Sequence, residues 1–290
     1  MLNAIALGTF DGIHSGHRAV FNSIKDYRVI AVTFKTPPKA VLSGVSELLM
    51  TPEDKYQALY DYGADVVDMP DFSDIRDMSP EVFLKSIKEK YNPAAIACGF
   101  NYRFGYNAQG DTEYLRDFCQ RNNMEFLCAA PVERDGRPVS SSLIREYIAD
   151  GKIKEANSEI YGGFGFAAEV IHGDHRGRTI GFPTINQIYP VCLVKPKFGV
   201  YGVEVEIDGH NFKAITNLGY RPTYKTKIVT AETYIPHFLG DLYGRRLRIR
   251  LQKFIRPERC FSSLDELKNA IDSDVTKLFA FSIKLEKSFS

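Results

Sequence analysis

Near its start the chain reads Gly8-Thr9-Phe10-Asp11-Gly12-Ile13-His14-Ser15-Gly16-His17, directly after the apolar run 4–7 and ahead of a helical pattern over 18–26. That order is strand, glycine-bearing turn, helix start. A helix N-terminus offers unpaired backbone N–H groups and a partial positive charge, which together make a phosphate site. Gly8 and Gly12 let the backbone approach a ligand closely. His14 and His17 are three residues apart, so one helical turn can aim both imidazoles at one ligand. Beside bound phosphates, two imidazoles can stabilise charge on a phosphoryl group in transfer. The plain alternative is a packed corner that happens to carry two histidines. The glycines, the strand before and the helix after all favour the ligand site.

Four other places hold chemistry. Ser140-Ser141-Ser142-Leu143-Ile144-Arg145 puts three hydroxyls at a helix start with a guanidinium in the first turns, again equipment for phosphate. Residues 99–111 follow a predicted strand and mix glycines, aromatics and Arg103; such rings can sandwich a flat ligand. The stretch 173–186, Gly173-Asp174-His175-Arg176-Gly177-Arg178-Thr179-Ile180-Gly181-Phe182-Pro183-Thr184-Ile185-Asn186, joins a glycine-rich, basic loop to two oxygen donors. Alternate residues of an extended segment face one way, so Thr184 and Asn186 can meet one Mg²⁺, an ion that takes few protein oxygens when ATP phosphates supply the rest. Glu232 lies in a predicted strand among apolar neighbours, where a carboxylate can take a proton from a primary alcohol. Each has an ordinary reading beside it: a capping cluster, a surface loop, a turn, a solvated strand glutamate.

The elements that must position these residues fall into two styles. Up to about residue 130, apolar runs at 4–7, 29–34, 66–69, 95–98 and 126–129 alternate with helical patterns at 51–62, 79–91 and 112–122. Thr51-Pro52-Glu53-Asp54 and Ser79-Pro80-Glu81 are helix starts, with a hydroxyl cap, Pro in the first turn and early acids. Strand–helix alternation implies a parallel sheet covered on both faces, with ligands at the carboxyl ends of the strands, which is where residues 8–17 fall. A helix is expected over 140–154. From Phe164 onward short β-rich runs at 166–172, 199–207, 212–218, 229–235 and 247–254 suggest a small antiparallel barrel. Asp208-Gly209 forms a hairpin turn between two of them, and a last helix is expected over 263–278. The boundary is placed near residue 158.

Two strings are decoys. Gly163-Phe164-Gly165-Phe166-Ala167-Ala168 matches a dinucleotide fingerprint by letter but precedes a β pattern. Asp272-Ser273-Asp274 lacks the later Gly and Glu of a calcium loop.

The 290 residues suit about two domains, and 44% hydrophobic with 25% charged residues is ordinary for a globular protein. A net charge of +1 gives no global pull toward nucleic acid or membrane. The basic run 244–250 alternates as a strand with one solvated face would. Five scattered cysteines without a C-x-x-C pair point to reduced thiols in a cytoplasmic protein. No secretory signal and no membrane span is read from the sequence. The oligomeric state stays open, a homo-oligomer included.

The segment 8–17 resembles the nucleotidylyltransferase superfamily in its flavin-adenylylating branch. That resemblance implies that Gly8, Phe10, Asp11, His14, Gly16 and His17 serve an ATP triphosphate. It further implies flavin and nucleotide contacts for Asn101, Arg103, Phe104, Gly105, Gly110 and Asp111. Ser141, Ser142 and Arg145 would hold ATP phosphates, with Ser142 standing where the family has threonine. After the second strand the family has T-F-D-P-H-P, whereas this chain has Thr33-Phe34-Lys35-Thr36-Pro37-Pro38.

The string 173–186 is similar to the riboflavin kinase family, as are residues 217–224, 231–234, 242–244 and 255–261, in the family's order. The resemblance implies that Thr184 and Asn186 bind Mg-ATP, that Gly173, Arg178, Gly181, Pro183 and Arg256 serve ATP or flavin, and that Glu232 is the base. Departures are Tyr234 and His237, where the family has histidine and aspartate. The whole is identified as resembling a bifunctional riboflavin kinase and FAD synthetase: an α/β Rossmann-like nucleotidylyltransferase domain over 1–158, and a small antiparallel β-barrel of riboflavin kinase type with a terminal helix over 159–290. Its expected chemistry uses ATP, Mg²⁺, riboflavin, FMN and FAD, with small molecules as partners and no nucleic acid or membrane. Three other readings compete: a kinase with a degenerate adenylylating domain, a flavin-binding regulatory protein, and an adenylyltransferase for another phosphate ester, against which the attached kinase-like domain argues.

Overall fold

The computed structural model describes residues 1–44, 47–173, 181–223 and 226–286. The chain divides into two compact units, Met1–Arg145 with Glu159–Gly162, and Glu146–Ser158 with Gly163–Ser290.

The first unit is built on five parallel strands: β1 (Asn3–Leu7), β2 (Arg28–Val32), β3 (Val66–Asp68), β4 (Ala95–Gly99) and β5 (Glu125–Ala129), in the order β3-β2-β1-β4-β5. Ile5, Leu7, Ile30, Val32, Ile96 and Cys98 of the inner strands are buried. Such continuous apolar runs are what a sheet covered on both faces requires. The helices are α1 (Ser15–Ser23), α2 (Pro38–Ser43), α3 (Pro52–Asp61), α4 (Phe72–Ile75), α5 (Pro80–Tyr91) and α6 (Thr112–Arg121). The capping signals work as expected: Thr51 Oγ1 accepts from Asp54 N, and Ser79 Oγ from Val82 N. The chain runs from β1 outward to β2 and β3, then returns to β4 on the other side of β1. The strand order therefore reverses between β1 and β4, the place where open α/β sheets hold ligands.

A short hairpin, β6 (Glu133–Arg134) and β7 (Arg137–Pro138), precedes α7 (Ser141–Ala149). The single helix expected over 140–154 is two helices in the structure, α7 and α8 (Ile153–Glu159). Between them Gly151 has φ of +77°, a left-handed turn that ends the first helix.

In the second unit six strands close into a barrel, ordered β10-β11-β12-β9-β8-β13. They are β8 (Gly165–Ile171), β9 (Thr184–Ile188), β10 (Gly199–Ile207), β11 (His210–Thr223), β12 (Thr226–Tyr234) and β13 (Arg246–Arg256), followed by α9 (Leu264–Glu286). Leu247, Ile249 and Leu251 are buried while Arg248 and Arg250 alternate with them, facing Glu206 and Glu204 across the ladder. From Arg246 onward the basic run is thus a strand with one charge-paired face, and Gly244 and Arg245 belong to the turn before it. The first decoy string runs into strand β8, and the second lies within α9, where Asp274 is buried and paired with Arg256.

Candidate functional sites

In the first unit a cavity of about 330 Å³ opens at the switch between β1 and β4. It is lined by the ends of β1 (Leu7, Gly8), β4 (Gly99, Phe100, Asn101) and β5 (Ala129), by His14, Gly16 and His17 at the start of α1, and by Ser140, Ser141 and Ser142 at the start of α7. His14 caps α1 in extended backbone and His17 follows in its first turn. The two rings stack at 3.7 Å, and Phe10 meets His17 edge-on at 5.3 Å. Among the described residues, Nδ1 of each histidine is buried without a hydrogen-bond partner. Burial pulls the His14 proton affinity down to about 4, against the pull of Glu159, and drives that of His17 well below the usual range. Both are therefore neutral near pH 7. A Cβ on Gly8 would come within 2.7 Å of the Phe10 ring, so only glycine lets this turn close over the buried phenyl group.

Several residues expected to hold phosphate also make contacts that shape the loop. Asp11 is buried and does not line the cavity; its carboxylate accepts from Leu49 N at 2.8 Å and pairs with Arg145. Arg145 also donates to the Glu47 carbonyl at 2.5 Å. The Ser141 hydroxyl donates to the Asp11 carbonyl at 3.0 Å, and Ser140 Oγ accepts from Leu143 N. The second loop splits in the same way. Asn101 and Arg103 line the cavity, while Asp111 caps α6 through Glu113 N and Tyr114 N and holds Arg103 at 3.3 Å.

Phe104 and Gly105 line a neighbouring cavity of about 230 Å³, walled also by Phe34, Phe72, Phe83, Tyr102 and Tyr106. Tyr102 and Phe104 lie nearly parallel at 5.6 Å. Phe34, Pro38, Tyr102 and Arg103 are common to both cavities.

In the second unit a cavity of about 270 Å³ is lined by Thr184 of β9, Asn217 of β11, Glu232 and Tyr234 of β12, Arg256 of β13, Glu258, and Leu267 and Ile271 of α9. Glu232 lies opposite Asn186 on one side and Asn217 on the other, so all three side chains leave the same face. Its strand neighbours Ala231 and Thr233 are buried, whereas Glu232 is exposed to the cavity. Asn217 Nδ2 donates to Glu258 at 3.0 Å. Arg256 is held by Asp274, 2.9 Å from Nε, and lies over the Phe261 ring.

The donor set expected for Mg²⁺ fits an oxygen-seeking cation. Asn186 is 5% exposed, and among the described residues its Oδ1 has no hydrogen-bond partner. Thr184 shares its face of β9. A Cβ on Gly173 would fall 2.2 Å from Asn186 Nδ2, so this glycine leaves the room the amide occupies. Gly173→Ala is expected to push the amide aside and weaken Mg-ATP binding in this unit about 10–100-fold. Titration of the second unit's activity with Mg-ATP checks it. Pro183 lies on the Thr184 side of a further cavity, and Gly181 has φ of +86°. Arg178 lies outside the described residues.

A riboflavin kinase family model matches residues 163–281, and an FAD synthetase family model matches residues 2–143. The bifunctional riboflavin kinase/FMN adenylyltransferase of Listeria monocytogenes is 31% identical, covering 97% of this chain and 93% of its own. The protein of the same name from Bacillus subtilis is 30% identical, covering 98% and 94%. The chain belongs to the bifunctional riboflavin kinase/FMN adenylyltransferase family. A crystal structure described as a macrolide-efflux protein of Streptococcus pneumoniae superposes with a TM-score of 0.86 at 29% identity, covering 94% of this chain and 92% of that one. Among the described residues no helix is long and apolar enough to cross a membrane.

Against the family's T-F-D-P-H-P, the segment 33–38 has a clear structural role here. Lys35 lies 3.3 Å from Asp71 in an exposed ion pair, and Pro37 and Pro38 start α2. Thr33 donates to the Thr9 carbonyl at 2.9 Å, tying the end of β2 to the loop after β1.

Two charged residues of this half escaped the sequence reading. Glu159 is 2% exposed; it accepts from Ser15 Oγ at 2.6 Å and from Arg134 at 2.7 Å, joining the first turn of α1 to the β6–β7 hairpin. Burial works against its charge, yet Ser15 and Arg134 hold the carboxyl below the usual range. Lys55, also 2% exposed, reaches the Thr9 and Phe34 carbonyls from α3. A lysine in a helix reads as solvated, and only its place at the third position after Pro52, on the side of buried Leu59, hints otherwise.

Proposed function

We propose that the cavity at the β1–β4 switch carries FMN adenylylation and the cavity around Glu232 carries riboflavin phosphorylation, with the division between the two activities near residue 158. As a family member the chain is a riboflavin kinase and FMN adenylyltransferase that uses ATP, riboflavin and FMN. The observation that carries the assignment is the pair of stacked imidazoles, His14 buried and His17 half-buried, each with a buried Nδ1 lacking a partner among the described residues, at a helix N-terminus facing a strand-order reversal.

In the first half, an FMN phosphate oxygen attacks the α-phosphorus of ATP and pyrophosphate leaves. The N-terminus of α1 and the imidazoles of His14 and His17 stabilise the charge that develops on the phosphates. Asn101, Arg103, Ser141 and Ser142 face the same space, and the neighbouring aromatic cavity suits the flat flavin ring. Asp11 and Arg145 act by fixing the loop. No covalent enzyme intermediate is needed; positioning carries most of the rate.

In the second half, the riboflavin 5′-hydroxyl attacks the γ-phosphorus of ATP, the bond from that phosphorus to the β,γ-bridging oxygen breaks, and ADP leaves. Glu232 orients that hydroxyl and takes its proton, with Asn217 beside it and Arg256 across the cavity. Mg²⁺ held by Thr184 and Asn186 would neutralise charge on the ATP phosphates. Positioning again supplies most of the acceleration.

The test supplies purified protein with FMN and Mg-ATP in one tube and with riboflavin and Mg-ATP in another. FAD with pyrophosphate in the first and FMN in the second is the expected result. FMN formed from riboflavin, without FAD from FMN, would overturn the assignment of the first cavity and leave that of the second.

A further inference from the structure

We propose that Lys55 is a positioning residue for adenylyl transfer: its buried ammonium clamps the loop after β1 to the loop after β2 and sets a positive charge beneath the triphosphate cavity. This rests on the reading of that cavity given above. Burying an ammonium is costly unless it is paired and hydrogen-bonded, and an apolar side chain would satisfy the α3 position if packing were all it served. Lys55 Nζ instead donates to the carbonyls of Thr9, at 3.3 Å, and Phe34. Thr9 and Phe34 both line the cavity and come from different strands. One cation therefore draws together two main-chain segments that are also tied by the Thr33 hydroxyl to the Thr9 carbonyl and by Gly8 N to the Val32 carbonyl.

The titratable groups that act on it directly are Asp11 from the β1 loop and His17 from α1, with His14 stacked on His17. Arg145 is paired with Asp11. Lys55 and His17 repel each other's protonation, which helps keep His17 neutral. Burial brings the Lys55 ammonium down to about 8, with the Asp11 carboxylate working the other way. A bound triphosphate adds negative charge over the same spot, favouring the ammonium. Nucleotide binding above pH 8 must then draw a proton onto Lys55, and affinity must fall as pH rises through that region.

The test compares the full-length protein with Lys55→Arg and Lys55→Met, assaying FAD formation from FMN between pH 6.5 and 9.5. Riboflavin phosphorylation by the same preparations reports on the other half. Wild type is expected to show a rise in KM for ATP on the alkaline side. Lys55→Arg, which does not titrate in this range, loses that rise. Lys55→Met loses it too and lowers kcat/KM for adenylylation roughly 10²-fold, the scale of a misplaced binding loop. Calorimetry of ATP binding to wild type at pH 8.5, in two buffers of different ionisation heat, gives a readout that needs no folded variant, and proton uptake is expected. An alkaline limb unchanged in Lys55→Arg, or the absence of proton uptake by wild type, overturns the proposal. Wild type that makes no FAD at any pH would instead sink the assignment of the cavity.

Discussion

Glu232→Gln is expected to slow riboflavin phosphorylation by about 10²–10⁴-fold, the usual worth of a general base, while FAD formation from FMN continues at the parent rate. Glutamine keeps the length of the side chain but accepts no proton. Glu232 lies in register between Asn186 and Asn217 and faces a cavity that also holds Arg256. The cross-strand partners fix where its carboxylate can be, and the buried neighbours Ala231 and Thr233 fix the strand. The loss should therefore fall on kcat, with KM for Mg-ATP little changed. Chromatography of FMN under saturating Mg-ATP measures it, and unaltered turnover would remove Glu232 from the proton-transfer step.

The converse effect belongs to His17→Ala. Adenylylation is expected to drop about 10²–10³-fold, the range for losing one charge-stabilising donor in a closed site, with the kinase half unaffected. The reason lies in burial as much as in position. His17 is stacked on His14 and edged by Phe10, and burial lowers its proton affinity well below the usual range, which favours the neutral imidazole. A neutral imidazole gives an N–H to a phosphate oxygen without demanding a charge-stabilising partner in the free enzyme. Following pyrophosphate release from FMN and ATP tests this, and a variant matching the parent rate would undo the role.

The departure of residues 33–38 from the family pattern raised the reading of a silent adenylylating half. The structure gives those residues work: Thr33 and Phe34 hold the β1 loop through Thr9 and Lys55, and the two prolines begin α2. Membership of the bifunctional family over almost the full length speaks for both activities.

Alternating apolar runs, capped helix starts and turn residues made the parallel sheet, the barrel and the terminal helix legible from the sequence, because these signals are local and act within a few residues. The site motifs were legible for the same reason: residues 8–17 are one strand end, one turn and one helical turn, and Thr184 and Asn186 share a face by the two-residue repeat of a strand.

Tertiary structure alone decided which motif residues line the cavities. Asp11 and Arg145 pair across more than a hundred residues and leave the lining. Asn217 and Asn186 flank Glu232 through strand register. Glu159 and Lys55 become buried charges beside the segment 8–17, through Ser15 and Thr9. Burial and long-range pairing set those roles, along with the depressed proton affinities of His14, His17 and Lys55. No spacing along the chain encodes how much water a folded neighbour will exclude.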